Sequence, residues 1–535
     1  MVVPELRPWR AAKPRVVRAA GAVRPRLARA ARAAEPRIAR FARATLPQLA
    51  RITRPKTWQY SAGAATAGLA LAAGVVTAAG PWDSTGQRTA ERDRAVAQAH
   101  TGGADHDRGA ADSGTTPGAP RPAPSAGPVL AGLGGAFGGV PGGVKAAPGG
   151  KALGDVLEPL LKDPALGARR GAAVVDLTTG KRLYGLGADV PLTPASTTKI
   201  ATAVAALTAL GPDHRLTTRT ALEAGTGELV LVGGGDPTLT ARKEARGLAS
   251  LRTLADKTAA ALKKRNVRKV TLSYDTTLYS GAEMHPIGVN ENLARVTALM
   301  ADEARTDDST SGPALRAADP AADAADAFAG FLQEHGITAS AAGPSKATDR
   351  ADTLATVSSP PLTALVERML TNSDNDLAEA LARHTAVATG EPADFDGVSA
   401  AVTARLKQLG LPVRGARFHD GSGLDRTDRI TADLLTALLA KAADPARPEL
   451  RPVLTGLPVA GFTGTLAGRY TDGAAGVVRA KTGTLTGVNT LAGTVVTADG
   501  RLLGFAFLTH DTTDAWAAQT ALDEAATELA ACGCA

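Results

Sequence analysis

Gly476-Val-Val-Arg-Ala-Lys481, Thr490-Leu-Ala-Gly-Thr-Val-Val496 and Leu502-Leu-Gly-Phe-Ala-Phe507 are three short apolar runs near the C-terminal end of the chain. Each is rich in β-branched or aromatic residues and too short for a buried helix, so each reads as a strand. Asp499-Gly500 supplies the tight turn between the last two. More than three hundred residues earlier, Ala172-Ala-Val-Val-Asp-Leu177 and Lys181-Arg-Leu-Tyr184 flank Thr179-Gly180 and read as a hairpin. A helical stretch follows Ser196, another runs from Pro361 to Leu370, and a last one from about Thr513 to Ala530. Strands at both chain ends with helices between them predict one antiparallel sheet closed by the two termini and flanked by helices, an α+β fold.

The text between these ends changes character over 223–356. Glu228-Leu-Val-Leu-Val232 runs into the sharp turn Gly233-Gly-Gly-Asp-Pro237, and Val270-Thr-Leu-Ser-Tyr274 is another short strand. Residues 304–328 are rich in Ala and Asp and carry no clear pattern. This segment is expected to be a smaller domain inserted into a catalytic domain built from 151–222 and 357–535.

The N-terminal part divides by composition. Residues 1–56 carry 15 Lys/Arg and two acids, a net of +13, so the rest of the chain holds −5 of the total +8. The basic pI therefore belongs to one tail, and a nucleic-acid partner is not expected. Residues 57–82 contain no charged side chain. From Tyr60 to Trp82 a helix would span roughly 33 Å, enough for a bilayer core. Trp58 and Tyr60 stand at one end and Trp82 at the other, with Arg51, Arg54 and Lys56 just before. A cleaved signal peptide is the alternative, with Thr77-Ala78-Ala79 as the cleavage site. The long basic leader favours an uncleaved anchor, with a cytoplasmic N-terminus and an extracellular catalytic domain. Residues 83–150, dominated by Gly, Pro, Ala and Ser, are expected to be a disordered linker with an r.m.s. span of about 45 Å. Cys532 and Cys534 are the two cysteines, too few for a disulfide framework, and are expected in a solvated tail.

Three motifs carry the chemistry. Ser196-Thr-Thr-Lys199, Ser373-Asp-Asn375 and Lys481-Thr-Gly483 each occur once, in this order. On a helix, residues i and i+3 share a face, so Lys199 can reach the hydroxyl of Ser196. A serine needs a neighbouring base before it is a nucleophile. Burial and a second cation, Lys481, would favour the neutral form of Lys199. Ser373 can relay a proton to a leaving amine, and Asn375 can hold Lys199 and a substrate amide. The N–H groups of Ser196 and Thr484 are candidates for an oxyanion hole. Thr482, Gly483 and Thr484, with Lys481, form a binding edge suited to a terminal carboxylate. No spacing matches a zinc site, and neither metal nor cofactor is expected.

Further stretches join these: Gly233-Gly-Gly-Asp-Pro-Thr-Leu239, Ser373-Asp-Asn-Asp-Leu-Ala-Glu379, Asp420-Gly-Ser-Gly-Leu424 with Arg429-Ile-Thr431, and Gly464-Thr-Leu466 ahead of Lys481-Thr-Gly-Thr-Leu485. Together they resemble the D-alanyl-D-alanine carboxypeptidase/endopeptidase family, the class C low-molecular-mass penicillin-binding proteins, over about 165–530. The resemblance implies a β-lactamase/transpeptidase-like fold, peptidoglycan stem peptides as substrate, and acylation of the serine by D-Ala-D-Ala with release of D-Ala. It also implies acylation by β-lactams, which mimic that dipeptide. Family members carry two inserted domains between the first two motifs, and the gap from Lys199 to Ser373 is short for both. Tyr274-Asp-Thr-Thr-Leu-Tyr-Ser280 resembles part of the first insert, which makes Asp275 a candidate substrate contact, against the reading of an ordinary turn aspartate. Residues 281–302 match only loosely, so endopeptidase activity hangs on a reduced second insert.

Two rival functions share the motifs. A β-lactamase is disfavoured by the long separation of Lys199 and Ser373 and by the lack of a Glu-x-x-Leu-Asn motif after Asn375. A tethered, non-catalytic muropeptide sensor is disfavoured by the intact trio. His419-Asp420 suggests a Ser–His–Asp triad, but no nucleophile elbow accompanies it; Ser422 and its flanking glycines read as a turn.

Overall fold

The computed structural model describes residues 150–532 apart from 289 and 471–472. The expected basic tail, membrane anchor and linker up to 149 lie outside the described residues, as does Cys534. Among the described residues no helix is long and apolar enough to cross a membrane.

Helix α1 (Gly150–Leu161) leads to the hairpin of β1 (Arg169–Asp176) and β2 (Arg182–Leu186). Asp176 closes its turn by accepting from the N–H groups of Thr178 and Thr179, each at 2.9 Å. A 3-10 turn over Ala195–Thr197 runs into α2 (Thr198–Leu210). There follow β3 (Thr217–Leu222), β4 (Glu228–Val232), α3 (Leu251–Lys264), β5 (Lys269–Asp275), α4 (Pro320–Glu334), β6 (Thr338–Pro344) and β7 (Asp352–Ser358). Four helices come next: α5 (Leu362–Asn372), α6 (Asn375–Thr389), α7 (Phe395–Gln408) and α8 (Ala432–Ala443), then the single turn α9 (Pro452–Thr455). The chain ends on β8 (Val478–Leu485), β9 (Val488–Val496), β10 (Leu502–His510) and α10 (Ala515–Ala531). Side-chain caps start most of these helices: Ser250 for α3, Asp319 for α4, Asp374 for α6, Asp394 for α7, Thr431 for α8 and Asp514 for α10. Each satisfies backbone N–H groups that a helix start leaves unpaired.

The first sheet has the order β2-β1-β10-β9-β8, all antiparallel. The first strand of the domain thus pairs with its last, Ala172 opposite Phe507. Both faces of its inner strands are covered, which is why β1, β9 and β10 read as continuous apolar runs. Ala173, Val175, Ala492, Ala506 and Leu508 face one core with α2, α5, α6 and α8. Ala172, Val174, Leu491, Phe505 and Phe507 face the other with α1 and α10. Cys532 is buried in this second core, so the cysteine tail is not solvated there.

The second sheet runs β6-β5-β4-β3-β7. Its β4, β5 and β6 are parallel, and the parallel crossovers are made by α3 and α4. It takes in Thr217–Leu222 at one end and Asp352–Ser358 at the other, so the inserted sheet is wider than the expected 223–356. Among its described residues, the stretch from Thr276 to Asp319 forms a 3-10 turn over Asp302–Ala304 and isolated bridges between Asn290 and Leu293 and between Arg305 and Arg316, and it packs against the catalytic helices.

Candidate active site

The three motifs come from three kinds of local structure. Ser196 lies in the 3-10 turn at the head of α2, preceded by Ala195 in the left-handed region at φ 47°. That conformation is unfavourable for a residue with a Cβ and marks a backbone held by its surroundings. Lys199 is in the first turn of α2. Ser373 ends α5 in the left-handed conformation, and Asp374 starts α6 by accepting from the Leu377 N–H at 3.0 Å, so Ser-Asp-Asn is the corner between two helices. Lys481 sits on β8, one of the two edge strands of the first sheet.

These elements bring all five predicted side chains together. Lys199 Nζ contacts Ser196 Oγ at 2.9 Å, Asn375 Oδ1 at 2.7 Å and the Ser422 carbonyl at 2.7 Å. Lys481 Nζ donates to Ser373 Oγ at 2.9 Å and to the Thr482 carbonyl at 2.8 Å. Both lysines are fully buried. Burial pushes Lys199 down to about 8, against the opposing pull of Asp420, Glu379, Asp374 and Asp376. Burial, then the charge of Lys199, holds Lys481 well below the ordinary lysine range.

Strand β8 lies directly on the nucleophile turn. A Cβ on Gly483 would meet Thr490 Oγ1 at 2.2 Å, the Pro194 carbonyl at 2.8 Å and the Ser196 nitrogen at 3.0 Å, so only glycine lets the strand this close. Thr482 and Thr484 line a cleft of about 370 Å³ together with Ser196, Ser373 and Asn375. Thr465, from the Gly464-Thr-Leu466 turn, joins its hydroxyl to that of Thr482 at 2.9 Å.

Asp275 is not among the cleft residues. It is buried at the end of β5, where its carboxylate accepts from the N–H groups of Thr277 at 2.8 Å and Ala347 at 3.0 Å. It is a turn aspartate of the inserted sheet. Nor does His419 pair with Asp420; the partner of Asp420 is His285, at 2.9 Å.

Several site residues gave no signal in the sequence. Asn292, Ile287, Arg305 and Arg316 come from the loosely patterned 281–319 stretch and form one wall of the cleft. Asn292 accepts from Asn375 Nδ2 through its carbonyl at 2.8 Å. Behind this wall lies a buried network. Glu303 takes Arg305 at 2.7 Å and Arg368 at 2.5 Å, and Asp376 takes Arg316 at 2.9 Å and the Ala294 N–H at 2.9 Å. Asp374 is pushed well above the usual carboxylate range by burial and by the neighbouring Glu303 charge. A second network supports Lys199. Glu379 accepts from the N–H groups of Gly421 and Ser422, and Asp420 accepts from those of Gly423 and Asp425 and from the Ser422 hydroxyl. These contacts fix the loop whose Ser422 carbonyl receives the Lys199 ammonium. The groups His285–Glu379–Asp420 and Glu303–Asp374–Asp376 are each close enough to hold a cation. In both, the oxygens are already occupied by backbone N–H groups, guanidinium groups or imidazole, so the donor sets do not fit a metal.

The arrangement also agrees with known proteins. The D-Ala-D-Ala carboxypeptidase 3 (S13) family matches residues 153–310 and 305–529. The carboxypeptidase DacB of Mycolicibacterium smegmatis is 37% identical over 402 residues, covering 72% of this chain and 85% of that protein. A D-alanyl-D-alanine carboxypeptidase of an Actinomadura species is 31% identical over 425 residues, covering 65% of this chain and 79% of that protein. The crystal structure of penicillin binding protein 4 from Haemophilus influenzae superposes with a TM-score of 0.57 at 22% identity, covering 70% of this chain and 98% of that one, which shows a shared fold. With a match across both the catalytic halves and the segment between them, the chain belongs to the D-Ala-D-Ala carboxypeptidase S13 family.

Proposed function

We infer that this protein is a serine-type D-Ala-D-Ala carboxypeptidase that trims peptidoglycan stem peptides through an acyl-enzyme on Ser196. One observation carries the reading: the contacts of Lys199 Nζ. Two of them, Asn375 Oδ1 and the Ser422 carbonyl, only accept, and the third is the Ser196 hydroxyl. A neutral amine has two N–H donors and one lone pair. The two acceptors consume the donors and leave the lone pair aimed at the serine proton. The depressed pKa of about 8 makes that neutral form accessible near physiological pH.

Lys199 takes the proton as Ser196 Oγ attacks the carbonyl of the penultimate D-Ala. The N–H groups of Ser196 and Thr484 then stabilise the oxyanion. The hydroxyl of Ser373, hydrogen-bonded to Lys481, delivers a proton to the departing D-Ala amine and is resupplied by the Lys199 ammonium, which returns Lys199 to its neutral form for the second step. Lys481 with the Thr482 and Thr484 hydroxyls receives the terminal carboxylate. Water, activated by the same Lys199, hydrolyses the ester. A β-lactam enters the same first step but keeps its leaving group tethered. The same chemistry on a cross-linked stem would be endopeptidase activity, and a cross-linked dimer muropeptide assayed beside a pentapeptide separates the two. The uncharged 57–82 stretch and the basic residues before it support a catalytic domain tethered outside the membrane.

The test is penicillin labelling of the protein followed by mass spectrometry, beside release of D-Ala from a D-Ala-D-Ala pentapeptide. One adduct on Ser196, lost in Ser196→Ala, is expected, with D-Ala released. Labelling elsewhere, or rapid turnover of penicillin without D-Ala release, overturns the reading, the latter in favour of a β-lactamase.

A further inference from the structure

A second cavity, of about 450 Å³, opens along α10. Its wall includes Trp516, which is 78% exposed, the most exposed large apolar side chain among the described residues. Single exposed apolar residues are ordinary on a protein surface. This one is different because it stands in a concave groove with hydrogen-bonding groups around it: Gln519, Thr520, Asp523 and Glu524, with Tyr470 alongside. The groove also meets the catalytic cleft. The Gln519 side-chain amide donates to Thr484 Oγ1 at 3.4 Å, and Thr484 lines the cleft.

We propose that this groove seats a sugar ring of the glycan strand to which the stem peptide is attached, so that the enzyme prefers glycan-linked stems over free peptide. The inference rests on the carboxypeptidase reading above. Three features point to this occupant. The first is chemical. An indole face offers an apolar platform with a polar tip, and carboxylate and amide groups around it suit ring hydroxyls. The second is charge. Asp523, Glu524 and Glu528 line the groove against Arg469, which is itself paired with Asp523 at 2.5 Å. That surplus of acid repels phosphate and anionic lipid and leaves a neutral sugar as the matching ligand. The third is reach. Four stem residues between the scissile bond and the sugar extend about 13–14 Å. Trp516 lies three residues, about 5 Å along α10, from Gln519, whose amide meets Thr484 Oγ1, and so falls within that reach.

The experiment compares D-Ala release by the full-length protein from a pentapeptide and from the same pentapeptide carried on a GlcNAc–MurNAc disaccharide. In Trp516→Ala, kcat/KM for the disaccharide substrate should fall about three- to ten-fold, mainly through KM, while the free pentapeptide is turned over as before. Trp516→Phe, which keeps a stacking face, should recover most of the loss. Equal loss on both substrates, or no loss on either, overturns the proposal. A direct measurement does not depend on catalysis. Titration with a peptide-free GlcNAc–MurNAc disaccharide whose lactyl carboxyl is capped as a neutral amide, as it is in the stem-linked form, should change the tryptophan fluorescence of the wild type and leave that of Trp516→Phe unaltered. No response in the wild type overturns the sugar site. Absence of D-Ala release from either substrate by the wild type, with the titration intact, instead overturns the carboxypeptidase reading alone.

Discussion

Lys199 is held by an acceptor on each side, and the acceptor on the Ser422 side is itself held by Asp420 and Glu379. Acylation requires the neutral amine, so its rate should rise with pH through about 8 and level above it. Asp420 favours the ammonium form, and its own pKa is held below the usual range, burial being outweighed by the hydrogen bond and charge of His285. Removing that negative charge therefore lowers the Lys199 pKa further. In Asp420→Asn the acidic limb of the acylation–pH profile should move about one unit to lower pH, with a lower plateau as the loop loosens. Stopped-flow penicillin acylation across pH reads both quantities. A limb that stays in place would mean that Asp420 only positions the loop. The Ser–Lys contact was legible in the sequence because spacing i, i+3 on a helix fixes it locally. His285 was not, because the fold brings it to Asp420 from 135 positions away.

Among the elements, β8 matters most to the site, since it carries Lys481 and lies on the turn that holds Ser196. A methyl group at position 483 would collide with Thr490 Oγ1, which cannot turn away freely because it donates to the Pro194 carbonyl at 2.8 Å. Gly483→Ala should therefore push the strand off the nucleophile turn. D-Ala release should drop by about a hundred-fold or more, the scale for losing an oxyanion donor, while the thermal midpoint changes little beside it. The inner strands β1, β9 and β10 were readable because both of their faces are buried and leave continuous apolar runs, while β2 and β8, on the edges, were readable as their neighbours in the hairpins. Helix α4 was missed. Its alanines blur the apolar periodicity, although the Asp319-Pro320 start was a usable signal. The limits of the insertion were placed too narrowly because β3 and β7 look like any other strands; the pairing of β3 with β4, and of β7 with β3, assigns them to the second sheet.

Across the whole molecule, the insertion does more than decorate the catalytic domain. Arg316, from the loop between β5 and α4, neutralises Asp376 in the first turn of α6, next to the Ser-Asp-Asn corner. Both side chains are almost fully buried. Burial pushes Asp376 up to about 6, with Arg316 opposing that rise. Arg316→Ala leaves the carboxylate buried without its partner, which should cost about 3–5 kcal/mol of stability in denaturant unfolding. A loss below about 1 kcal/mol would show that this contact behaves as a surface pair. The order of the first sheet has a consequence for timing. Ser196 and Lys199 are made first, and β8, with Lys481, and β10, the partner of β1, follow only after the whole insertion and the helices behind it. A growing chain thus carries a nucleophile with neither its second lysine nor the strand that completes its sheet. The nucleophile is therefore armed only once β8 has been made and has docked.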